Sequence, residues 1–567
     1  MKSVLTVLVL ATLVGTYGQK AHKKQITPAQ IDSVFATWAN TDTPGIAVGV
    51  LNNGEVVYTK GYGLANLEHQ IPIRPDTKFH IGDIAKEFTV YALLLLEQRG
   101  QISLQDDIRK HMPELASFPH AISIEQLTHH TSGLNNLEVS KTLAGWNMQE
   151  VFSKEQAYKM IGYQSQNAPA SGETQQFTDA GFMVLEDLIA KIGKTSYSEF
   201  VTKEIFGPLG MTHSVFDTTG AVIPAMAQGY VAQKEGYAVA GINHEHTLLT
   251  DLYSTVGDMC LWAKELQSPT LGTKQLVAKF DGLSIVNNTT VKETNLALYT
   301  GGHRFWNFRG VKKLYHIEVA GGYASKLIRY PEHDLALVVM GNDGAYNGYA
   351  ATGASALYIE NFLDPMPQAP PTIAVKKLAG PQLANFEGDY WDTDNHTIRK
   401  IRTVNDTLRY VRGPGNESAL VPLGNTSFKM ITRGEVMVRF DTKTTPKTMQ
   451  VTVGDQTFRS LAYNQNASWS KDLEAFTGNY HTPLFKTPYS IENHNGELVI
   501  VRPRTKPVQL SPTIPDTFMG NQDHFSSITF QRDPKGEVSG FLLATQGVTD
   551  ILFLKAAKTN QNSAKTR

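Results

Sequence analysis

The stretch Phe79-His80-Ile81-Gly82-Asp83-Ile84-Ala85-Lys86-Glu87-Phe88-Thr89 runs from a turn directly into a long apolar segment. Ala85 to Arg99 is strongly apolar and has no Gly or Pro before its end, which reads as a buried helix. Asp83 stands at the start of that helix, where a carboxylate caps free backbone N–H groups and complements the dipole. Lys86 lies three residues on, on the same face as Asp83, so a local ion pair is expected.

On the N-terminal side, Pro44-Gly45-Ile46-Ala47-Val48-Gly49-Val50-Leu51, then Asn52-Asn53-Gly54, then Glu55-Val56-Val57-Tyr58 read as a β-hairpin around an Asn-Gly turn. On the C-terminal side, Gly181 to Ile192 reads as a second helix. Lys326 to Met340, with Pro331-Glu332-His333-Asp334 at its centre, reads as another hairpin. Strands at both ends with helices between them predict an α+β domain over residues 27–364, its terminal strands meeting in one antiparallel sheet.

Residues 365–380 open with Pro365-Met366-Pro367-Gln368-Ala369-Pro370-Pro371 and read as a linker. Beyond it the chain repeats itself at an offset of 90 residues. Leu383, Phe386, Gly388 and Tyr390 recur as Leu473, Phe476, Gly478 and Tyr480. Leu408, Leu420, Phe428 and Phe440 recur as Leu498, Leu510, Phe518 and Phe530. Units of this length with short β-like runs suit two small all-β barrels, at 381–466 and 471–556. The polar, basic tail at 557–567 reads as disordered.

The chain has 567 residues, with 52 Lys and Arg against 53 Asp and Glu. Such a balance argues against a nucleic-acid-binding protein. The single cysteine, Cys260, lies in an apolar helical stretch and reads as a small buried hydrophobe. Met1-Lys2-Ser3, the apolar run Val4–Val14 and small residues near Gly18 read as a signal peptide over 1–18, hence a secreted or periplasmic protein. No later stretch is apolar enough for a transmembrane segment. Sequons at Asn287, Asn288, Asn395, Asn405, Asn416, Asn425 and Asn466 make it a candidate glycoprotein in a eukaryotic host.

The region from Thr43 to about Asn342 resembles the serine β-lactamase and penicillin-binding protein family, in its class C β-lactamase, D-aminopeptidase and esterase branch. The resemblance rests on His129-His130-Thr131-Ser132-Gly133-Leu134, Gly172-Glu173, Phe206-Gly207-Pro208-Leu209-Gly210-Met211, Tyr253-Ser254-Thr255-Val256-Gly257-Asp258-Met259 and Gly322-Tyr323-Ala324-Ser325. The repeated units look like the lipocalin-like barrels fused to this family. The resemblance implies a Ser-x-x-Lys nucleophile, a Tyr-x-Asn acid or base, and a Lys-Thr-Gly or His-x-Gly strand edge.

Each of these motifs is altered. Asp83 replaces the serine while Lys86 remains; Phe177-Thr178-Asp179 replaces Tyr-x-Asn; His316-Ile317-Glu318 keeps the histidine and replaces the glycine. A carboxylate is a weak nucleophile, and losing the nucleophile of such a site costs on the order of a million-fold in rate. Phe177 has no hydroxyl to relay a proton, and Glu318 brings bulk and charge to the acyl position. Ser132, Ser254 and Ser325 read as turn and packing residues. Asp83, Asp179 and Glu318 are expected to converge with His316 beside them, either as an ion-pair network with Lys86 or as ligands of a divalent metal.

The resulting expectation is a secreted pseudoenzyme that binds a small peptide, ester or cell-wall-like ligand or serves an extracellular structural role. Two alternatives stand beside it: an active peptidase, esterase or amidase with an unorthodox, metal-assisted site, and a binding function carried by the barrels. The sequence leaves the oligomeric state open.

Overall fold

The computed structural model describes residues 26–556 apart from 116–119, 147–149, 151, 165–176, 219, 241–248, 283–284, 287–288, 291–297, 300, 345–347, 366–377, 379, 393–396, 414–415, 433–435, 454–455, 464–471, 523 and 546–547. The signal-peptide reading, the Gly172-Glu173 match, most of the linker, the tail and the sequons at Asn287, Asn288, Asn395 and Asn466 lie outside the described residues.

The apolar runs at the two ends of the first domain meet as expected. Strands β1 (Ile46–Asn52), β2 (Glu55–Tyr62), β3 (Leu298–Tyr299), β4 (Arg304–Phe308), β5 (Val311–Ala320), β6 (Tyr323–Tyr330) and β7 (Leu335–Gly341) form one antiparallel sheet in the order β3-β4-β5-β6-β7-β1-β2. Ile46 of β1 pairs with Gly341 of β7, and Asn52 with Leu335. Asn53 and Gly54 join β1 to β2 with φ of 52° and 79°, the two left-handed residues that a tight hairpin turn needs.

Alternation along the strands gives each face of the sheet its own core. Ala47, Leu51, Leu327, Ala336, Val338 and Met340 face helices α2 (Lys86–Gln98), α4 (Asp179–Gly193) and α5 (Val256–Gln267). Ile46, Val48, Val50, Ile328, Leu337 and Val339 face α1 (Pro28–Val34) and α6 (Tyr349–Ile359). Helix α5 packs so close to β1 that a Cβ on Gly49 would stand 2.8 Å from the Cys260 sulfur. Cys260 is the buried hydrophobe expected, and burial pushes its thiol up to about 12.

Helix α2 begins one residue later than its apolar run, after a 3₁₀ turn over Gly82–Ala85. The expected cap by Asp83 is not formed: neither the turn nor the helix has a side-chain cap, and the Asp83 carboxylate turns instead to Lys86.

Residues 388–463 and 478–555 each form a closed eight-stranded antiparallel barrel. The 90-residue repeat is a repeat of register: Gly388 pairs with Ile401 as Gly478 pairs with Ile491, and Leu408 with Leu420 as Leu498 with Leu510. The repeated Phe386 and Phe476 are buried in their barrels, and Tyr390 and Tyr480 donate to their carbonyls at 2.9 and 2.6 Å. Phe386, Tyr390, Phe428 and Phe440 fill the first lumen. Tyr480, Phe518, Phe530, Phe541 and Phe553 fill the second. These lumens are packed cores.

A short helix, α3 (Leu137–Leu143), ties the first domain to the second barrel. Val139 and Leu143 are buried in that barrel's core. Three carbonyls at the end of α3 accept from donors on the barrel, that of Thr142 in addition to the Gly145 N–H. Arg502 donates to Thr142 at 2.5 Å, the Tyr489 hydroxyl to Leu143, and Thr487 to Ala144 at 2.6 Å.

Candidate active site

The start of α2, the start of α4 and the end of β5 converge on one cleft. Lys86 is at its centre and is 2 % exposed. Its Nζ donates to Asp179 at 2.7 Å and to Asp83. The two carboxylates are reached from the cleft by solvent, while the ammonium beneath them is not. Burial alone would drive Lys86 down, but Asp179 and Asp83 reverse the sign and hold it above the ordinary lysine range. It therefore remains an ammonium and has no lone pair with which to take a proton.

Thr178 positions Asp179. Its hydroxyl caps α4 by accepting from the Ala180 N–H at 3.1 Å and donates to the Asn135 carbonyl at 2.9 Å. Asp179 thereby enters the first turn of α4, where the helix dipole favours an anion. Burial and the neighbouring Asp83 raise its carboxyl, against the pull of Lys86. Phe177, at the expected acid or base position, lays its ring 4.5 Å from the Lys86 ammonium, and Phe182 adds a second ring at 5.5 Å. A cation over an aromatic face is stabilised by about 0.5–2 kcal/mol, so the phenyl group holds the charge that a phenolate would have shared.

Glu318 reaches the same place from β5. Gly82 has φ of 54°, and a Cβ there would stand 2.0 Å from Glu318 Cγ, so the glutamate side chain lies directly over the backbone preceding Asp83. Burial, then the Asp83 carboxylate, push Glu318 up to about 8, with Lys86 opposing. One of the three converging carboxyl groups thus holds a proton at neutral pH, as their proximity requires.

His316 departs from the expected arrangement. It is buried, its Nδ1 has no hydrogen-bond partner among the described residues, and burial together with Lys86 and Arg304 pushes it down to about 3. Its electrostatic neighbours are cations. Among the described residues, no group of three or more His, Cys, Asp and Glu side chains is arranged to hold a metal ion. The network with Lys86, rather than a metal centre built from Asp83, Asp179, His316 and Glu318, is what the side chains form.

Two further residues belong to the cleft. His130 has φ of 57°, accepts from the Thr178 N–H at 3.2 Å and sits 4.6 Å from the Phe177 ring; burial, then Lys86, keep it neutral. Glu138, on the first turn of α3, is raised by desolvation and then by Asp179 and Asp83. Glu138 carries no sequence signal, because only the fold brings it near residues 83 and 179. The matched serines have structural partners: Ser132 accepts from the Leu134 N–H, Ser254 bonds Ser214 at 2.8 Å, and Ser325 donates to the His80 carbonyl at 3.2 Å.

A lysine at the start of a helix, a second helix start facing it and a strand edge closing the cleft define the architecture of acyl-transfer proteins of the β-lactamase and transpeptidase class. The chain belongs to the beta-lactamase family, whose model matches residues 31–358. It is 27% identical over 307 residues to Protein flp of Staphylococcus aureus (strain N315), a match covering 53% of this chain and 59% of that protein. It is 29% identical over 184 residues to the putative penicillin-binding protein PbpX of Bacillus subtilis (strain 168), covering 32% of this chain and 44% of that one. The chain thus spans about three-fifths of the length of the first of these curated relatives and less of the second. The octameric penicillin-binding protein homologue from Pyrococcus abyssi superposes with a TM-score of 0.54 at 23% identity, over 77% of this chain and 100% of that chain. Among the described residues, no helix is long and apolar enough to cross a membrane.

Proposed function

We propose that this protein is a secreted, catalytically silent member of the beta-lactamase family whose cleft is retained for binding a small peptide, ester or cell-wall-like ligand. One observation carries the reading. The lysine that would activate a nucleophile is locked as an ammonium between Asp83 and Asp179, and Asp83 occupies the nucleophile's own position. Acyl transfer needs a nucleophile and a base that can exchange a proton. Phe177 supplies no hydroxyl, and Glu318 lies over Gly82 where an acyl chain would approach. The N-terminal pattern of residues 1–18 supports secretion, and the likeness to a putative penicillin-binding protein supports the ligand class.

The test is a hydrolysis panel of esters, β-lactams and D-amino-acid amides on the wild type and Asp83→Ala, with and without a chelator. Equal, buffer-level turnover in all arms is expected. Wild-type turnover that disappears in Asp83→Ala would overturn the reading, and chelator sensitivity would then assign it to a metal. Enzymatic turnover shared by both proteins would place the chemistry on another residue and overturn it equally. Retained capture of an unhydrolysed panel member, measured by calorimetry, supports the binding role.

A further inference from the structure

The polarity of the cleft names a ligand class, and the inference rests on the binding role proposed above. Asp83 and Asp179 each spend one oxygen, Oδ1, on the Lys86 ammonium. Neither Oδ2 has a hydrogen-bond partner among the described residues, and the two aspartate side chains are 24 % and 28 % exposed. Glu318 and Glu138 both lie within electrostatic reach of these carboxylates. Glu318 accepts from the neighbouring Val319 N–H. Among the described residues, neither glutamate has a cation within ion-pair distance.

His316 adds an acceptor of another kind. It shares its strand face with Glu318, is 2 % exposed, and has an unpartnered Nδ1 among the described residues. The ring meets the Gly302 carbonyl. A neutral imidazole has a single N–H to give that carbonyl, and its other nitrogen is a lone pair. The cations around these groups are already engaged. Lys86 is held by the two aspartates, Lys141 donates to the Glu150 carbonyl at 2.8 Å, and Arg304 bonds Tyr315. In this set of side chains, the capacity left for a ligand is acceptor capacity, brought from α2, α4, α3 and β5.

That imbalance selects the occupant. An anion would meet the like charge of the carboxylates. A divalent metal needs several ligands within about 2.0–2.6 Å of one point, and no such group is present among the described residues. A guanidinium needs a coplanar acceptor pair, whereas an ammonium is a compact charge with three rotatable donors, suited to acceptors that arrive from separate elements. Lys86 already exemplifies the match from beneath the two aspartates.

We propose that the cleft is a receptor for a primary ammonium, held on the solvent side of Asp83 and Asp179. The free oxygens of both aspartates and the Glu318 carboxylate accept its protons, His316 supplies a further lone pair, and Glu138 draws the cation to the mouth. A peptide's amino terminus and a lysine-type side chain both offer this group.

Ligand-observed NMR on the full chain tests the assignment with four probes. D-Alaninamide carries an α-ammonium, n-butylamine a side-chain ammonium, N-acetyl-D-alaninamide no charge, and N-acetyl-D-alanine a carboxylate. Saturable binding of an amine is expected, with both acetylated probes weaker by about tenfold or more. The tighter amine identifies the source. Glu318→Gln should weaken it about fivefold and Glu138→Gln, at an exposed position, about threefold. Neither substitution removes a partner of Lys86, and urea unfolding reports the fold; should Glu318→Gln unfold, Glu138→Gln carries the comparison. Acetylated probes that bind as tightly as the amines, or more tightly, overturn the proposal and leave the binding role of the cleft standing. Absence of saturable binding by all four probes overturns the proposal, and so does amine binding indifferent to both substitutions. Displacement of the amine by stoichiometric Ca²⁺ would assign the oxygens to a metal and overturn it equally. D-Alanine formed from bound D-alaninamide would support the ammonium site while overturning the catalytic silence.

Discussion

Lysines are buried on both sides of the sheet, and the two sides treat them oppositely. On the cleft side Lys86, 2 % exposed, is held by two carboxylates. On the other side Lys313 and Lys326, 7 % and 6 % exposed, donate among the described residues to neutral oxygens, Thr352 Oγ1 at 3.0 Å and the Gly348 carbonyl at 2.9 Å. Burial pushes Lys313 down to about 7, helped by the charge of Lys326, and pushes Lys326 down to about 8. Lys86 moves up because Asp179 and Asp83 outweigh the same burial. The partner decides the sign of the shift, not depth. Depth alone would have given Lys86 the poised amine of a catalytic site; the residues substituted around it remove that possibility.

The sharpest way to break this contrast is to strip the partners. Asp83→Ala/Asp179→Ala leaves Lys86 buried without its anions and should cost about 3–5 kcal/mol in urea unfolding at neutral pH. A tolerated double variant would mean that Lys86 sheds its proton as readily as Lys313 does.

A smaller effect separates the two sides by pH. The folded values of Lys313 and Lys326 lie below the unfolded 10.5, so the unfolded chain binds more protons between about 7 and 10.5. Their contribution to stability therefore rises with pH across that window, by at most about 1.4 kcal/mol per pH unit for each group. Lys313→Met/Lys326→Met should flatten this part of the wild-type stability profile. An unchanged profile would refute the assignment.

Glu318 gives the smallest effect and the opposite slope, being partly exposed. Its folded value of about 8 lies above the unfolded 4.5, so its contribution is complete below pH 4.5 and declines as pH rises through 8. Subtracting the Glu318→Gln profile from the wild type should leave a curve that falls between pH 4.5 and 8. A flat difference would place Glu318 outside the carboxylate cluster.

Much of this was legible in the residues. The Asn53-Gly54 turn, the gap-free apolar run before Arg99 and the constant 90-residue offset each state a local rule that the fold obeys. The convergence of Asp83, Lys86 and Asp179 followed from their motif positions. The capping role expected of Asp83 failed because a buried ammonium three residues away outcompetes backbone N–H groups for the carboxylate. The isolation of His316 from the carboxylates failed to show because a two-residue spacing on a strand fixes a face but not a partner. The grip of Tyr489 on Leu143 spans 346 residues and leaves no pattern in either segment.

That grip also sets where the chain can be cut. Helix α3 contributes Val139 and Leu143 to one barrel's interior while Glu138, on its first turn, borders the cleft. A truncated protein ending before residue 478 would retain the family domain yet expose two apolar side chains and strip the Leu143 and Ala144 carbonyls of their barrel donors. Modularity in this molecule ends at the first barrel: the family domain and the second barrel are a single folding partnership, and an engineer who separates them inherits an adhesive surface.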